Sequence, residues 1–361
     1  MLLPVGTRLT SRIMRAPCFI RCSRNASTES TRNVEHGKWI GGARLKSKDI
    51  GILFLLAALW GASFLFMRVA SPVFGPIVLI DLRVLMAGIA LITYAAALRQ
   101  RPKLLHKWRE YLLLGALNAA IPFCLIATAE IRLDASLAAI LNATTPLFTA
   151  LVARIWTQDR LTVKKLLGLL LGVLGVAVLV GWNLHHAGAD LLVSVCLSLG
   201  AALFYGVGGV YSAKGFRGTT SMARRATNNR EEKYACGDFS GEKPLHLAIG
   251  QQLAAGLLLL PIAVFFVPNR APSAAAILSV SGLAILSTSL GYLLYFHLIR
   301  RVGPVRTLSV TFLIPVFGIP WGWLLLREPI SSNLVLGLAI ILLGVALVSN
   351  VPLRVRRGNT L

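Results

Sequence analysis

The feature that most constrains this chain is the recurrence of long apolar runs. Ten of them lie roughly at 50–69, 76–98, 111–129, 134–156, 166–182, 191–212, 245–267, 277–298, 303–326 and 333–348. Each is close to the ~20 residues that carry an α-helix across ~30 Å of hydrocarbon. Lipid offers backbone N–H and C=O groups no partner, and the runs are too long for barrel strands, so they must be helices. Only 14% of the residues are charged, against about 25% in a soluble domain. The chain is therefore expected to be an all-α integral membrane protein of about ten transmembrane helices.

The formal net charge of +23 would suggest nucleic acid in a soluble protein. Here no basic stripe is interleaved with aromatics, and no nucleic-acid partner is expected. The basic residues fall instead in alternate connections. Arg99, Arg101, Lys103, Lys107 and Arg109 precede the third run, and Arg160, Lys164 and Lys165 follow the fourth. Seven more, from Lys214 to Lys243, follow the sixth, and Arg300, Arg301 and Arg306 lie around the link from the eighth to the ninth. Arg354, Arg356 and Arg357 end the chain, whereas the other links hold Arg68, Arg132, Arg270 and Arg327. The positive-inside rule then puts both termini in the cytoplasm of a multi-pass protein of the plasma or inner membrane.

The sequence also repeats itself. Pro146 and Pro315 are 169 positions apart, and the same shift pairs Phe148 with Phe317, Gly168 with Gly337, Gly175 with Gly344 and Asp159 with Glu328. Each unit holds five runs. An odd number makes the second unit enter the membrane from the opposite side, so two inverted five-helix repeats are expected, an arrangement typical of secondary transporters. The units span 50–182 and 190–350. Residues 1–49 form a basic arm, Arg-rich and without an acid before Glu29. It reads either as a disordered tail or as a transit peptide, which would move the protein to an organelle membrane. Residues 214–244 form a polar insertion expected to be a disordered cytoplasmic loop, and 351–361 a basic tail.

Several segments resemble EamA-type carriers of the drug/metabolite transporter superfamily. They are Leu56 to Phe64 (LAALWGASF), Leu82-Arg83, Ala138 to Phe148 (AAILNATTPLF), Thr311 to Gly318 (TFLIPVFG) and Leu326 to Pro329 (LREP). The resemblance covers residues 50 to 350 in both copies. It departs at Gln158-Asp159, where the family has Gly-Glu, and in the length of the 214–244 loop. It implies ten helices and alternating access and leaves the substrate open.

The candidate pathway residues follow from charge, proline and repeat position. Proline inside a helix removes a donor and crowds the carbonyl four residues earlier. Pro146 and Pro315 thus loosen the carbonyls of Asn142 and Thr311, which are themselves repeat-equivalent. Irregular backbone at membrane depth is tolerated where it lines a cavity or meets protein. Arg83 is an intramembrane cation, which costs ~2.5–3.5 kcal/mol on insertion scales. It either attracts an anionic or zwitterionic solute or snorkels to the interface beside Asp81. Asn118 and Ser287, again repeat-equivalent, and Tyr292, Trp60, Tyr205 and Gln251 are polar or aromatic groups within helices, read as pathway lining or as interhelical bonds. Trp321 and Trp323 read as interface anchors, and Asp159 and Glu328 as helix caps.

Five cysteines form no zinc pattern, no H-E-x-x-H occurs, and no cofactor is expected. The expected function is an alternating-access permease for a small organic metabolite or drug-like solute, with a coupling ion or proton as candidate co-solute. A multi-pass membrane enzyme or a transport-inactive scaffold is the competing reading.

Overall fold

The apolar runs fold as α-helices, and a glycine shows how the first two are joined. α1 (Ser47–Phe74) and α2 (Pro76–Ala97) meet at Gly75, whose φ is +72°. Only glycine adopts that angle without strain, and Pro76 then opens α2 at a position where its missing N–H is no loss. The computed structural model describes residues 47–102, 104–157, 162–181, 184–225, 244–268, 271–302, 307 and 310–348, and all regular structure among them is helical.

Next come α3 (Trp108–Gly115) and α4 (Ile121–Ala129), which a π turn over Ala116–Ala120 joins into one span. α5 (Ala135–Asn142) and α6 (Thr145–Thr157) form another, broken between them. α7 (Val163–Gly181), α8 (Leu184–Arg225) and α9 (Pro244–Ala263) follow. α10 (Ala274–Gly282) continues through a π turn over Leu283–Leu290 into α11 (Gly291–Val302). The last two helices are α12 (Val310–Leu326) and α13 (Ser332–Val348).

Seven of these spans are long and apolar enough to cross a bilayer, and Val310–Leu326 and Ser332–Val348 are shorter apolar helices. Large apolar side chains face outward along the spans, among them Leu170, Val173, Leu257, Leu278, Leu324 and Leu343. Such a surface would aggregate in water and is what lipid solvates. α8 carries helix to Arg225, so the polar insertion begins on helical backbone. Residues 1–46, 226–243, 351–361 and Asp159 lie outside the described residues.

Two helix pairs organise the bundle. α7 packs along α13, and α2 along α9. In the first pair the backbones touch. A Cβ on Gly168 would lie 2.5 Å from the Gly344 carbonyl oxygen, and one on Gly337 would lie 3.1 Å from that of Gly175. Residue numbers rise along one helix as they fall along the other, so the pair is antiparallel. Small residues at these four positions are what allows so close an approach.

The proline helices differ from each other. Pro146 coincides with a break: α5 ends at Asn142 and α6 begins at Thr145. The freed carbonyls are taken locally, as Thr145 Oγ1 donates to the Asn142 oxygen at 2.7 Å and Thr144 Oγ1 to that of Leu141 at 2.6 Å. α12 instead runs unbroken through Pro315 and Pro320. The equivalent stretch before Pro315 is Phe312-Leu313-Ile314, without hydroxyls to hold a break open.

Candidate functional site

The site is built from the two π turns outward. The two turns are related by the 169-residue shift, since Ala116–Ala120 so shifted falls within Leu283–Leu290. A π turn widens the helix and re-aims its side chains, and such turns are frequent at functional sites. In the second, hydroxyls stabilise the wide turn by bonding carbonyls five residues back. Thr288 Oγ1 donates to the Leu283 oxygen at 2.8 Å and Ser289 Oγ to the Ala284 oxygen at 2.9 Å.

Arg83 of α2 reaches this turn. Its side chain is only 4% exposed. Nε donates to Thr288 Oγ1 at 2.9 Å, Nη1 lies 3.5 Å from Met67 Sδ, and the guanidinium carbon stands 3.7 Å above the Phe123 ring centre. The arginine therefore points into the bundle instead of snorkelling outward, and Asp81 makes no described bond to it. Asp81 is itself buried, with Oδ1 unpartnered. Tyr205 of α8 and Tyr292 of α11 lie within electrostatic reach of Arg83. Phe123 and Tyr205 stack edge to face with ring centres 6.1 Å apart.

No carboxylate comes within ion-pairing distance of Arg83 among the described residues. The guanidinium offers five N–H donors, and Thr288 and the weak sulfur acceptor use only two of them. A buried cation so poorly compensated is costly, by several kcal/mol. A guanidinium with unused donors has the chemistry to pair with an anionic group.

On the other side of Tyr292 lie Gln251 and Gln252 of α9. Gln252 is fully buried, its side-chain amide close to the tyrosine hydroxyl. Gln252 is the repeat equivalent of Arg83, and Tyr292 that of Phe123. Arg83, beside Phe123, and Gln252, beside Tyr292, thus lie on the two helices α2 and α9 that pack together.

Trp60 of α1 closes one flank. Its Nε1 donates to the Ser287 carbonyl at 3.1 Å, and Ser287 Oγ donates back to the Leu59 carbonyl at 2.8 Å. The Trp60 ring centre stands 6.2 Å from that of Tyr292 and 5.4 Å from that of Tyr295. Arg83, Ser287, Tyr292 and Trp60 are thereby brought together with Tyr205 and Gln251. Asn118 sits in the other π turn, against Gly208 of α8. Asn142 lies at the α5–α6 break with its Oδ1 buried and unpartnered. Trp321 is no free interface anchor: its Nε1 donates to the Ala58 carbonyl at 3.2 Å. Trp323 is exposed.

A second polar group gathers at the ends of α4 and α12. Glu328 Oε1 accepts from the Ala135 N–H at 2.7 Å and Oε2 from that of Ser136 at 3.0 Å, with Ser136 Oγ donating to Oε2 as well. The carboxylate thus caps α5, matching the role expected from sequence. Removing it leaves two buried N–H groups unpaired, so Glu328→Ala should lower stability by about 2 kcal/mol, read as a fall in thermal midpoint in detergent. An unchanged midpoint would show that water replaces the cap.

Nearby, Arg68 donates through Nη1 to the Glu130 and Ile131 carbonyls, closing the C-terminus of α4, and its Nη2 lies 3.9 Å from Asp134. Arg132 pairs with Asp190. Two of the four arginines of the poorly basic links, Arg68 and Arg132, are thus engaged in local structure. Burial, and then Glu328, push the Asp134 carboxyl pKa up from its ordinary value, against the pull of Arg68.

Sequence reasoning did not single out Thr288, Phe123, Gln252 or Glu130. The 169-residue shift applied to Arg83 and Tyr292 would have found Gln252 and Phe123. Nothing marks Glu130, a lone acid at the end of an apolar run.

The EamA-like transporter family model matches residues 49–181 and 238–350, and the chain belongs to that family. The uncharacterized transporter YvbV of Bacillus subtilis is 25% identical over 309 residues, covering 84% of this chain and 92% of that one. A probable amino-acid metabolite efflux pump of Escherichia coli K12 is 25% identical over 315 residues, covering 83% and 94%. The uncharacterized inner membrane transporter YedA of the same strain is 27% identical over 308 residues, covering 83% and 90%. A solved crystal structure, 18% identical, shares the fold with a TM-score of 0.56 over 84% of this chain and 97% of its own. The chain is a multi-pass helical membrane protein of a transporter family, which points to transport and away from catalysis.

Proposed function

We infer that the chain is a secondary transporter that moves a small organic solute carrying a carboxylate or similar anionic group by alternating access. The observation that carries this reading is Arg83, buried in the bundle with no carboxylate at ion-pairing distance among the described residues. Permanent burial of an unpaired cation is unfavourable unless an anion visits. The name of the Escherichia coli relative, an amino-acid metabolite efflux pump, fits solutes that carry a carboxylate.

The spans form ten helices in two inverted halves. The glycine contacts support this: Gly168 meets Gly344, the equivalent of Gly175, while Gly337, the equivalent of Gly168, meets Gly175. Such reciprocal antiparallel contact is what a twofold axis in the membrane plane produces. The matched π turns support it again. Both termini are cytoplasmic, and the solute binds near the axis, between Arg83, Thr288, Tyr205, Tyr292 and Trp60. Asn142, Pro146, Thr311, Pro315, Asn118 and Ser287 line or shape its path.

The experiment is uptake into proteoliposomes of two labelled solute sets. One holds neutral and acidic amino acids, and the other choline and short amines, which lack an anionic group. Uptake confined to the first set is expected. Uptake of the amines with none of the carboxylates would contradict the reading.

A further inference from the structure

Glu130 follows the span Leu104–Ala129 and is the only residue of its kind in the bundle's described part: a carboxyl of 0% exposure with both oxygens unpartnered. Glu328, also buried, has its oxygens filled by the α5 cap, and Asp134 is half exposed beside Arg68. Four charged groups face Glu130 or flank it from the packed elements: Arg68 on α1, Arg83 on α2, Asp134 before α5 and Glu328 after α12. On its own loop Arg132 is paired away with Asp190 of α8. Arg68 is tied to the Glu130 and Ile131 carbonyls. Arg83 is thus the facing cation whose charge a solute can neutralise.

We propose that Glu130 is a proton-binding site coupled through Arg83 to the solute, so that the transporter carries an anion and a proton together. The proposal rests on Arg83 being the anion site. Its physical basis is competition for one positive charge. Ionised Glu130 and a bound anion both draw on Arg83, so each weakens the other. Protonation of Glu130 frees Arg83 for the solute, and by reciprocity a bound solute favours protonation. Burial raises the Glu130 pKa well above the ordinary carboxylate value, and Glu328 adds to this, while Arg68 and Arg83 oppose it. An anion on Arg83 removes part of that opposition. Solute affinity is therefore high when Glu130 is protonated and falls as pH rises through its titration. No covalent step is involved; the proton binds one carboxylate oxygen and leaves from it.

The test is calorimetric binding of benzoate, hexanoate and methanesulfonate to the purified full-length protein in detergent. Methanesulfonate is ionised across the whole window, and benzoate and hexanoate are compared only from about pH 6.5 upward, where their own carboxyl groups are ionised. Wild-type affinity should fall roughly 10-fold between about pH 5 and pH 9. Glu130→Gln, which mimics the protonated form, should bind at the wild-type low-pH affinity at every pH. A role in packing alone would not produce tighter binding at high pH. Wild-type binding that is flat across the range overturns the coupling, with or without a folded variant, and so does a Glu130→Gln profile that still follows wild type. Failure of every probe to bind at any pH is a different result: it contradicts the anion site at Arg83 itself.

Discussion

Arg83→Met lowers solute uptake by about 100-fold, while the protein inserts and purifies as well as wild type. Methionine keeps the apolar stem and loses the guanidinium with its contacts to Thr288, Met67 and Phe123, so what is lost is the charge and its donors. Removing one member of a buried, hydrogen-bonded charge pair costs ~2–5 kcal/mol of binding, and about 2.8 kcal/mol is a factor of 100. The stability readout separates this from a structural role. No carboxylate ion-pairs with Arg83 among the described residues, and burial favours the neutral form of Glu130, which faces it electrostatically, so its removal strands no opposite charge and the thermal midpoint should stay level or rise. A fall in the midpoint together with uptake would identify Arg83 as a structural group. Arg83→Lys retains charge but loses the planar fork that bonds Thr288 and lies on Phe123, and an intermediate uptake is expected.

Gly168→Val should destabilise the bundle by about 3 kcal/mol, near the upper end for overpacked sites. A Cβ there meets the Gly344 carbonyl oxygen at 2.5 Å and Val348 Cγ2 at 2.7 Å. A backbone atom cannot rotate aside, so α7 must move off α13. Gly344→Val forces the same separation, from 2.6 Å against the Gly168 oxygen, and the double variant should lose less than the sum because both act on one contact. Gly209, with nothing within 4 Å of an added Cβ, is the control: Gly209→Ala should be silent or slightly stabilising, since alanine is the better helix former. Equal midpoints for Gly168→Val and Gly209→Ala would remove the close helix pair from the account.

The helical membrane architecture was legible because hydrophobic length is a one-dimensional signal. Residues 76–98, read from apolar content alone, correspond to α2 at Pro76–Ala97. The errors at other ends, from three residues at Ile50 against Ser47 to thirteen at Ser212 against Arg225, arise because helices run on past the apolar run into polar residues that water can solvate. Pro146 and Pro315 were equally visible, but the proline alone does not decide whether a helix breaks. Thr144 and Thr145 decide it at the first site by taking up freed carbonyls. The π turns left no pattern to read, because a π turn inserts one residue without altering hydrophobicity. Arg83 stood out by its charge. Thr288 and Phe123 did not, since an apolar helix holds many hydroxyls and rings, and only three-dimensional packing selects those that touch the guanidinium. Glu130 looked like an ordinary loop acid, and its burial is a property of the neighbours that cover it.

The central claim is transport of an anion-bearing solute through the Arg83 site. Its most direct test incubates proteoliposomes holding wild type, Arg83→Met or no protein with a bacterial metabolite extract, followed by mass spectrometry of the washed lumen. Vesicles with wild type should accumulate at least one carboxylate-bearing solute that empty vesicles and Arg83→Met vesicles do not. A lumen indistinguishable between wild type and empty vesicles, or equal accumulation by wild type and Arg83→Met, would contradict it.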